Sequence, residues 1–390
     1  MERGNYPVKV VAVRTEEEFS RIAPEWQALQ ERCPDTTPFQ TWEWNATWVK
    51  HFRRRKRLRV LLFRREVDNA LCGIAPLYID WHRGSPILSL KWLGTGVSDY
   101  LGLLALPDEL ETVTSTFYHY LSHSYKHWHI ADLQQLPPIS TLVCLPPPTH
   151  LKSRKVELET CPYLTLPETW EELLAPLGKK LRSNIGYYDR LLKRTFTEVD
   201  FLLSEKSHLE AGMNALFDLH QQRWHARWLP GVLGNPRVQA FHRELAHIFL
   251  ERGWLRLHLL KLDGHIQSVL YCFAYHGKTY YYLGGFSPAL HKFSIGTLLN
   301  ARAIQHAVEE GHTVFDFLRG NEEYKYRWKP EVQSNQQILL TRAEFPARIA
   351  GQAGLAVHQV ERYLEHKAKA FAAKQGRKKE KPPSDNVSTP

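Results

Sequence analysis

The chain has no run of eighteen apolar residues, so no segment reads as a helix that crosses a bilayer. Its opening stretch, MERGNYPVKVVAVRTEEEF, lacks the apolar core and small-residue cleavage site of a secretory leader. Cysteine is sparse: Cys33, Cys72, Cys144, Cys161 and Cys272 are scattered, odd in number and contain no CxxC pair. That pattern argues for a reducing compartment and against a disulfide framework or a structural zinc site. Together these absences lead to the expectation of a cytoplasmic protein with no membrane span and no metal.

The 390 residues are enough for two ordinary domains, and 43% hydrophobic with 12% aromatic residues is the make-up of a folded globule. The net charge of +10 invites an anionic partner, but its distribution weakens that reading. Four of those charges come from Glu365 to Pro390, whose composition reads as a disordered basic tail. A second block, Lys50 to Arg59, precedes a strand and reads as a solvated helix end or loop, or as a phosphate-binding patch.

The second half carries the clearest periodicities. Leu255 to Leu262 alternates and meets Asp263-Gly264, a hairpin signal; Ile266 to Tyr275 follows, then His276-Gly277-Lys278 leads into Thr279 to Leu283. This predicts a three-stranded antiparallel meander. A helix follows from about Gly296 to Glu310, with Leu298, Ala301, Ile304, Ala307 and Val308 on one face. Thr313 to Leu318 is a further strand, so strand, crossover helix and strand place two strands parallel in one sheet. The first half repeats the outline. Val60–Arg65 and Leu71–Ile79 form a hairpin, Ile87–Leu93 a strand, Asp108–Ser122 a helix capped by Asp108, and His129–Leu133 a strand. Asp132 stands where Asp316 stands in the second half. Proline-rich sequence from Leu136 to Pro148 separates the two.

The segment Gly284 to Leu299 joins a strand to a helix that starts at Ser294, Ile295, Gly296 and Thr297. A helix start leaves amide N–H groups unpaired at the positive end of the dipole, which suits a pyrophosphate, and glycine permits close approach. The competing reading makes Ser294 an N-cap and Gly296 a packing residue. The first half opens its helix with Asp108, Glu109 and Glu111, which would repel a phosphate. Any donor site is therefore expected in the second half. Gly178 to Arg194 reads as a basic amphipathic helix, its apolar stripe Leu181, Ile185, Tyr188, Leu191 and Leu192. Its cations face solvent unless the helix borders a cleft.

Several stretches carry a family resemblance. They are Leu219-His220-Gln221-Gln222-Arg223-Trp224, Leu262-Asp263-Gly264, Tyr280 to Leu299, and Phe315-Asp316-Phe317-Leu318-Arg319-Gly320-Asn321-Glu322-Glu323-Tyr324-Lys325-Tyr326-Arg327-Trp328. In the first half they are Thr37 to Trp44, Gly73 to Leu77, and Ser98-Asp99-Tyr100. On these the chain resembles the bacterial CelD-like branch of the GNAT acyltransferases, often encoded near cellulose and exopolysaccharide functions. It is more distantly similar to the Fem-type aminoacyl transferases.

The resemblance implies an α/β (α+β) fold of two tandem GNAT-like domains, each a mixed, mainly antiparallel sheet flanked by helices. The expected organisation is residues 1–150 without a donor site, 151–345 as the acyltransferase domain, and 346–390 as a helix and basic tail. It implies acyl-CoA, such as acetyl-CoA, as co-substrate and direct attack of the acceptor on the thioester. The acceptor would be an amine or hydroxyl of a small molecule or polysaccharide precursor. A tRNA-borne aminoacyl donor and a catalytically silent scaffold are the alternatives. One departure stands out: of the family's Q/R-x-x-G-x-G/A loop only Ser294-Ile295-Gly296-Thr297 remains.

The candidate catalytic residues are Asp316, Lys325, His220 and Tyr324. His220 is a general base or a half-buried histidine bonding a backbone carbonyl. Asp316 alternates with Phe315 and Phe317, so it faces away from them; it orients or deprotonates the acceptor, or pairs with Arg319 or Arg327. Lys325 balances negative charge. Arg223, Trp224, Arg319 and Trp328 are candidate acceptor-binding residues.

Overall fold

The computed structural model describes residues 7–81, 87–225, 231–343 and 355. The expected helix and tail of 346–390 therefore lie outside the described residues, apart from Leu355. In chain order the first half contains β1 (Val8–Val13), α1 (Glu16–Arg21), α2 (Ala23–Arg32), α3 (Trp42–Phe52), β2 (Arg57–Leu58), β3 (Val60–Arg65), β4 (Leu71–Ala75), β5 (Leu77–Trp81), β6 (Leu88–Trp92), β7 (Leu104–Ala105), α4 (Leu110–His119), β8 (Ile130–Leu136) and α5 (Thr141–Cys144). A long strand β9 (Leu151–Thr165) leads into α6 (Trp170–Leu174), α7 (Lys179–Thr195), β10 (Val199–Leu203), α8 (Leu209–His225) and α9 (Pro236–Glu251). The rest is β11 (Leu255–Leu262), β12 (His265–Tyr275), β13 (Lys278–Phe286), α10 (Ile295–Glu309), β14 (Val314–Asp316), α11 (Glu323–Tyr326) and β15 (Glu331–Arg342).

Local chemistry explains most of these elements. Asp263 and Gly264 both take positive φ, as do His276 and Gly277, so two-residue turns of the kind that match strand twist close the β11–β12–β13 meander. The strand expected from Leu71 to Ile79 is instead broken at Pro76. Proline has no N–H to give a ladder, and the two pieces join different sheets: β4 pairs with β3 and β7, β5 with β2 and β6. The helix expected to be capped by Asp108 begins later. A 3₁₀ turn covers Pro107–Glu109, and Glu109 occupies the cap position without a side-chain cap bond.

A four-stranded sheet, β1-β3-β4-β7, lies beside one eleven-stranded mixed sheet ordered β10-β11-β12-β13-β14-β9-β15-β8-β6-β5-β2. Each half contributes one parallel pair made by a crossover helix: β6 to β8 through α4, and β13 to β14 through α10. Helices flank both halves. β9 and β15 join them, since β15 pairs with both β8 and β9 while β9 pairs with β14.

First-half motifs are buried against the second half. Trp44, fully buried, sits edge-on to Phe241, Phe273 and Tyr282, and Phe39 packs against Phe273 and Tyr282. Such aromatic contacts fix the orientation of the two halves as well as burying apolar area. The Lys50–Arg59 block forms the end of α3, the turn after it and the short strand β2; Arg53 pairs with Glu16 and Lys56 lies 3.9 Å from Asp80. All five cysteines are free, four of them buried. No helix among the described residues is long and apolar enough to cross a membrane.

Candidate functional site

β13 and β14 run together only from Lys278↔Val314 to Tyr280↔Asp316, and then diverge. Past that point the chain stays with β9, where the Phe317 amide donates to the Pro162 carbonyl, until Leu318 turns to φ 55°. β13 continues to Phe286 with a ladder partner on its β12 edge alone. Tyr282 is an extra residue in that ladder, since Leu283 faces Tyr271 and Tyr281 faces Cys272; this bulge lies just past the point of divergence.

The V-shaped gap opens into a cavity of about 270 Å³ on the α10 side of the sheet. Ser268, Leu270, Tyr281, Gly284, Gly285 and Phe286 form its sheet side, and His291, Ser294, Ile295, Gly296, Thr297 and Asn300 its helix side; Tyr324 and Arg327 close it. No carboxylate lines it. α10 starts abruptly because Ser294 takes a left-handed conformation, φ 49° and ψ 37°, and gives no side-chain cap bond. The Thr297 and Leu298 amides bond to Ser294 O, whereas those of Ile295 and Gly296 have no acceptor among the described residues. Two free amides on a dipole's positive end, with no acid nearby, fit a phosphate-bearing group. A Cβ on Gly296 would lie 3.2 Å from the Phe286 ring, so this glycine also serves close packing.

Asp316 projects from the opposite face. Phe315 and Phe317 pack beneath α10, while Asp316 points towards the first half. There Tyr100 donates to Oδ2 at 2.8 Å and the Leu318 amide donates to Oδ1 at 2.7 Å. Gln333 donates to the Tyr100 oxygen at 3.2 Å. Burial pushes the Asp316 carboxyl up to about 6, against the opposing pull of those two donors. Burial, then Asp316 itself, raises the Tyr100 hydroxyl well above its ordinary value. Neither Arg319 nor Arg327 pairs with Asp316: Arg319 Nε contacts Asp99 Oδ1 at 2.6 Å, and Asp99 is 4% exposed. Burial also raises the Asp99 carboxyl despite that arginine.

Lys325 is 3% exposed. Its Nζ donates to the carbonyls of Leu318, Arg319 and Gly320 at 3.2, 3.0 and 3.4 Å, and lies 3.0 Å from Glu322. His220, 3% exposed, lies on α8, which packs so closely on β13 that a Cβ on Gly285 would meet Leu219 Cβ at 2.8 Å. Nearby His242 is wholly buried, with Nδ1 lacking a hydrogen-bond partner, and burial pushes its pKa down to about 3. Trp328 is buried, 6.3 Å from Trp170. The side chains of Arg223 and Trp224 lie outside the described residues.

Of the residues singled out in the sequence, Ser294, Ile295, Gly296, Thr297 and Tyr324 thus meet around one cavity. Asp316 stands at the vertex of the gap on the other face, while Lys325, His220, Arg319 and Trp328 are absent from the lining. The sequence reading passed over Asn300, 5% exposed, whose Oδ1 has no partner, and Ser268, fully buried. The signal for Asn300 was present: an amide on the apolar face between Leu299 and Ala301. Tyr100 was noticed as part of a motif, but a bond spanning 216 positions leaves no local trace.

Residues 179–326 match the family model of an acetyltransferase (GNAT) domain. Among solved structures, the chain is similar to FemX, with a TM-score of 0.58 at 12% identity, covering 85% of this chain and 96% of that one. It is similar to a conserved protein of unknown function from Bacteroides thetaiotaomicron VPI-5482, with a TM-score of 0.51 at 8% identity, covering 86% and 100%. It is also similar to the C-terminal domain of a putative lysylphosphatidylglycerol synthetase from Agrobacterium fabrum, with a TM-score of 0.50 at 11% identity, covering 88% and 96%. At these identities the likeness is one of fold. No curated protein matches the chain.

Proposed function

We propose that the chain is an acyltransferase that moves an acyl group, such as acetyl, from coenzyme A to an amine or hydroxyl of a small molecule or polysaccharide precursor. The observation that carries this reading is the parting of β13 and β14 directly over the uncapped start of α10. The donor's pyrophosphate rests on the Ile295 and Gly296 amides, and its thioester arm runs along the open edge of β13 into the gap. The acceptor enters from the opposite face, where Asp316 waits at the vertex. Its nitrogen or oxygen attacks the acyl carbon, the new bond forms as the carbon–sulfur bond breaks, and Asp316 takes the acceptor's proton. The sulfur leaves as a thiolate that solvent protonates. Tyr100 holds the Asp316 carboxyl in place, so the first half serves the site without binding the donor. The resemblance of the sequence to the CelD-like branch is what suggests a saccharide-related acceptor.

The test is donor binding by calorimetry on the full chain, with two substitutions at one position. Gly296→Ala crowds Phe286 mildly and is expected to weaken acetyl-CoA binding less than threefold. Gly296→Glu places a negative charge among the free amides and is expected to weaken it at least tenfold, about 1.4 kcal/mol. Equal affinities for the two folded variants would remove α10 from the donor site. Tight binding with no turnover on any amine or hydroxyl tried would leave a catalytically silent fold.

A further inference from the structure

The chain between β6 and β7 is irregular, yet Val97, Ser98, Asp99, Tyr100 and Leu101 are all buried there. A buried loop must satisfy its polar groups with something other than water. Each of these five residues is tied. Tyr282 donates to the Val97 carbonyl at 2.6 Å, Trp44 to the Ser98 hydroxyl oxygen at 2.8 Å, and the Leu101 amide to the Gln135 carbonyl at 2.8 Å. Between them, Asp99 and Tyr100 carry the contacts to Arg319 and Asp316.

The remaining ties come from β15 and account for an unusual feature of that strand. Gln333, Asn335 and Gln337 alternate along it, so they share one face, and Asn335 and Gln337 are fully buried inside the eleven-stranded sheet. Apolar side chains would fill that place without needing partners, whereas each buried amide must find them. All three give hydrogens to the first half. Asn335 Nδ2 donates to the Asp99 carbonyl and to Gln135 Oε1, both at 2.7 Å. Gln333 Nε2 donates to the Tyr100 oxygen at 3.2 Å, and Gln337 Nε2 to Asp132 Oδ1 at 2.6 Å. Gln135 meets Asn335 where β8 bulges, its own φ at 58°, a left-handed setting that strains a residue other than glycine.

We propose that Gln333 and Asn335 are positioning residues for the acyl transfer, holding the Val97–Leu101 loop and its Tyr100 hydroxyl against Asp316 from a strand outside the donor cavity. This rests on the reading of Asp316 as proton acceptor and adds what keeps that carboxylate in place. Asn335 acts through the backbone, fixing the loop at Asp99, the residue before Tyr100. Gln333 acts through the hydroxyl: an N–H given to the Tyr100 oxygen polarises the O–H and makes it a stronger donor to the ionised carboxylate. Burial holds the Tyr100 hydroxyl well above its ordinary pKa, so it stays protonated and donates. Gln337 bonds Asp132 and not the loop, so it is the member of the row without this role. The titratable groups around Asp316 are Asp99 and Tyr100 from the loop, Lys325 from α11, Cys161 and Tyr163 from β9, and Tyr280 from β13. Gln333→Met changes none of them.

Two readouts on the full chain test this: the pH profile of kcat/KM, and a carbon-13 titration of the Asp316 carboxyl, its signal assigned by loss in Asp316→Asn. Gln333→Met keeps the length of the side chain and loses the donor. It is expected to move both the acid limb and the carboxyl titration up by roughly half a pH unit, a roughly threefold loss of kcat/KM on that limb. Asn335→Leu should move both at least as far and lower the melting temperature; if it does not fold, Gln333→Met carries the test alone. Gln337→Met should lower the melting temperature without moving either titration. In a Tyr100→Phe background Gln333→Met should add nothing, because the hydroxyl it acts through is gone. A folded Gln333→Met with both titrations unmoved, or with its full effect retained beside Tyr100→Phe, would overturn the positioning role. A carboxyl that shifts in the spectrum while the rate profile stays put would uphold the effect of β15 on Asp316 and overturn Asp316 as the proton acceptor.

Discussion

Asp316→Asn is expected to lower turnover by about 10²–10⁴ while leaving donor affinity within twofold, because it removes a proton acceptor and nothing the donor touches. The pH dependence follows from the carboxyl's pKa of about 6, raised by burial. The base works when ionised, so kcat/KM should fall as pH drops through about 6 and level off above it. Tyr100→Phe deletes one of the two bonds that favour the ionised form. Its acid limb should therefore move to higher pH, which a residue serving packing alone would not do.

Stability runs the other way. A carboxyl whose pKa is raised on folding contributes stability below its unfolded value, near 3.8, and loses it as pH rises through about 6. At pH 8 the wild type thus bears the cost of an ionised buried carboxylate. Asn keeps the acceptor for the Leu318 amide and sheds that charge. Asp316→Asn should melt at or above the wild-type temperature at pH 8 while being nearly inactive. Rates and calorimetric melts at pH 5, 6.5 and 8 read both effects; full activity in the variant would remove Asp316 from the chemistry.

How much of this was legible beforehand depends on whether the determinant is local. The meander was, since Asp263-Gly264 and His276-Gly277 fix two turns by their own backbone preferences. The crossover through α10 was as well, because its apolar face repeats at helical spacing beneath β13 and β14. The break at Pro76 was missed although its cause is a single residue, because the flanking apolar pattern runs on unbroken. The merging of both halves into one sheet was out of reach. It depends on β9 pairing with β14 and β15, and the exposed, charged start of β9 reads as a surface segment. At the site, the start of α10 could be read from Ser294 to Thr297. The partners of Asp316 and Arg319 could not, since Tyr100 and Asp99 come from the other half of the chain.

Lys325 shows where a side chain's direction decides its meaning. In sequence it is a cation in a polar loop and invites a role in steadying negative charge. In the fold Leu318 at φ 55° and Gly320 at φ 127° curl the chain so that three successive carbonyls point at its ammonium. That bond set ties the loop after β14 to α11, and the same loop carries Arg319 to Asp99 and supplies the Leu318 amide to Asp316. The proposal is therefore a positioning role. Lys325→Ala would remove three charge-assisted bonds from a side chain 3% exposed and leave carbonyls facing a cavity. At about 1.5–3 kcal/mol for each bond to a charged group, less what loop relaxation recovers, the expected loss is about 3 kcal/mol. The melting temperature should fall by roughly 5 °C or more. Turnover measured well below that melt should drop less than tenfold, with the acid limb displaced because the Leu318 amide no longer holds Asp316 firmly. Lys325→Arg keeps the charge but not the shape, since a planar fork cannot reach three carbonyls arranged around a point, so it should rescue only part of the melt. A hundredfold loss of turnover at an unchanged melting temperature would instead put the ammonium beside the reacting atoms.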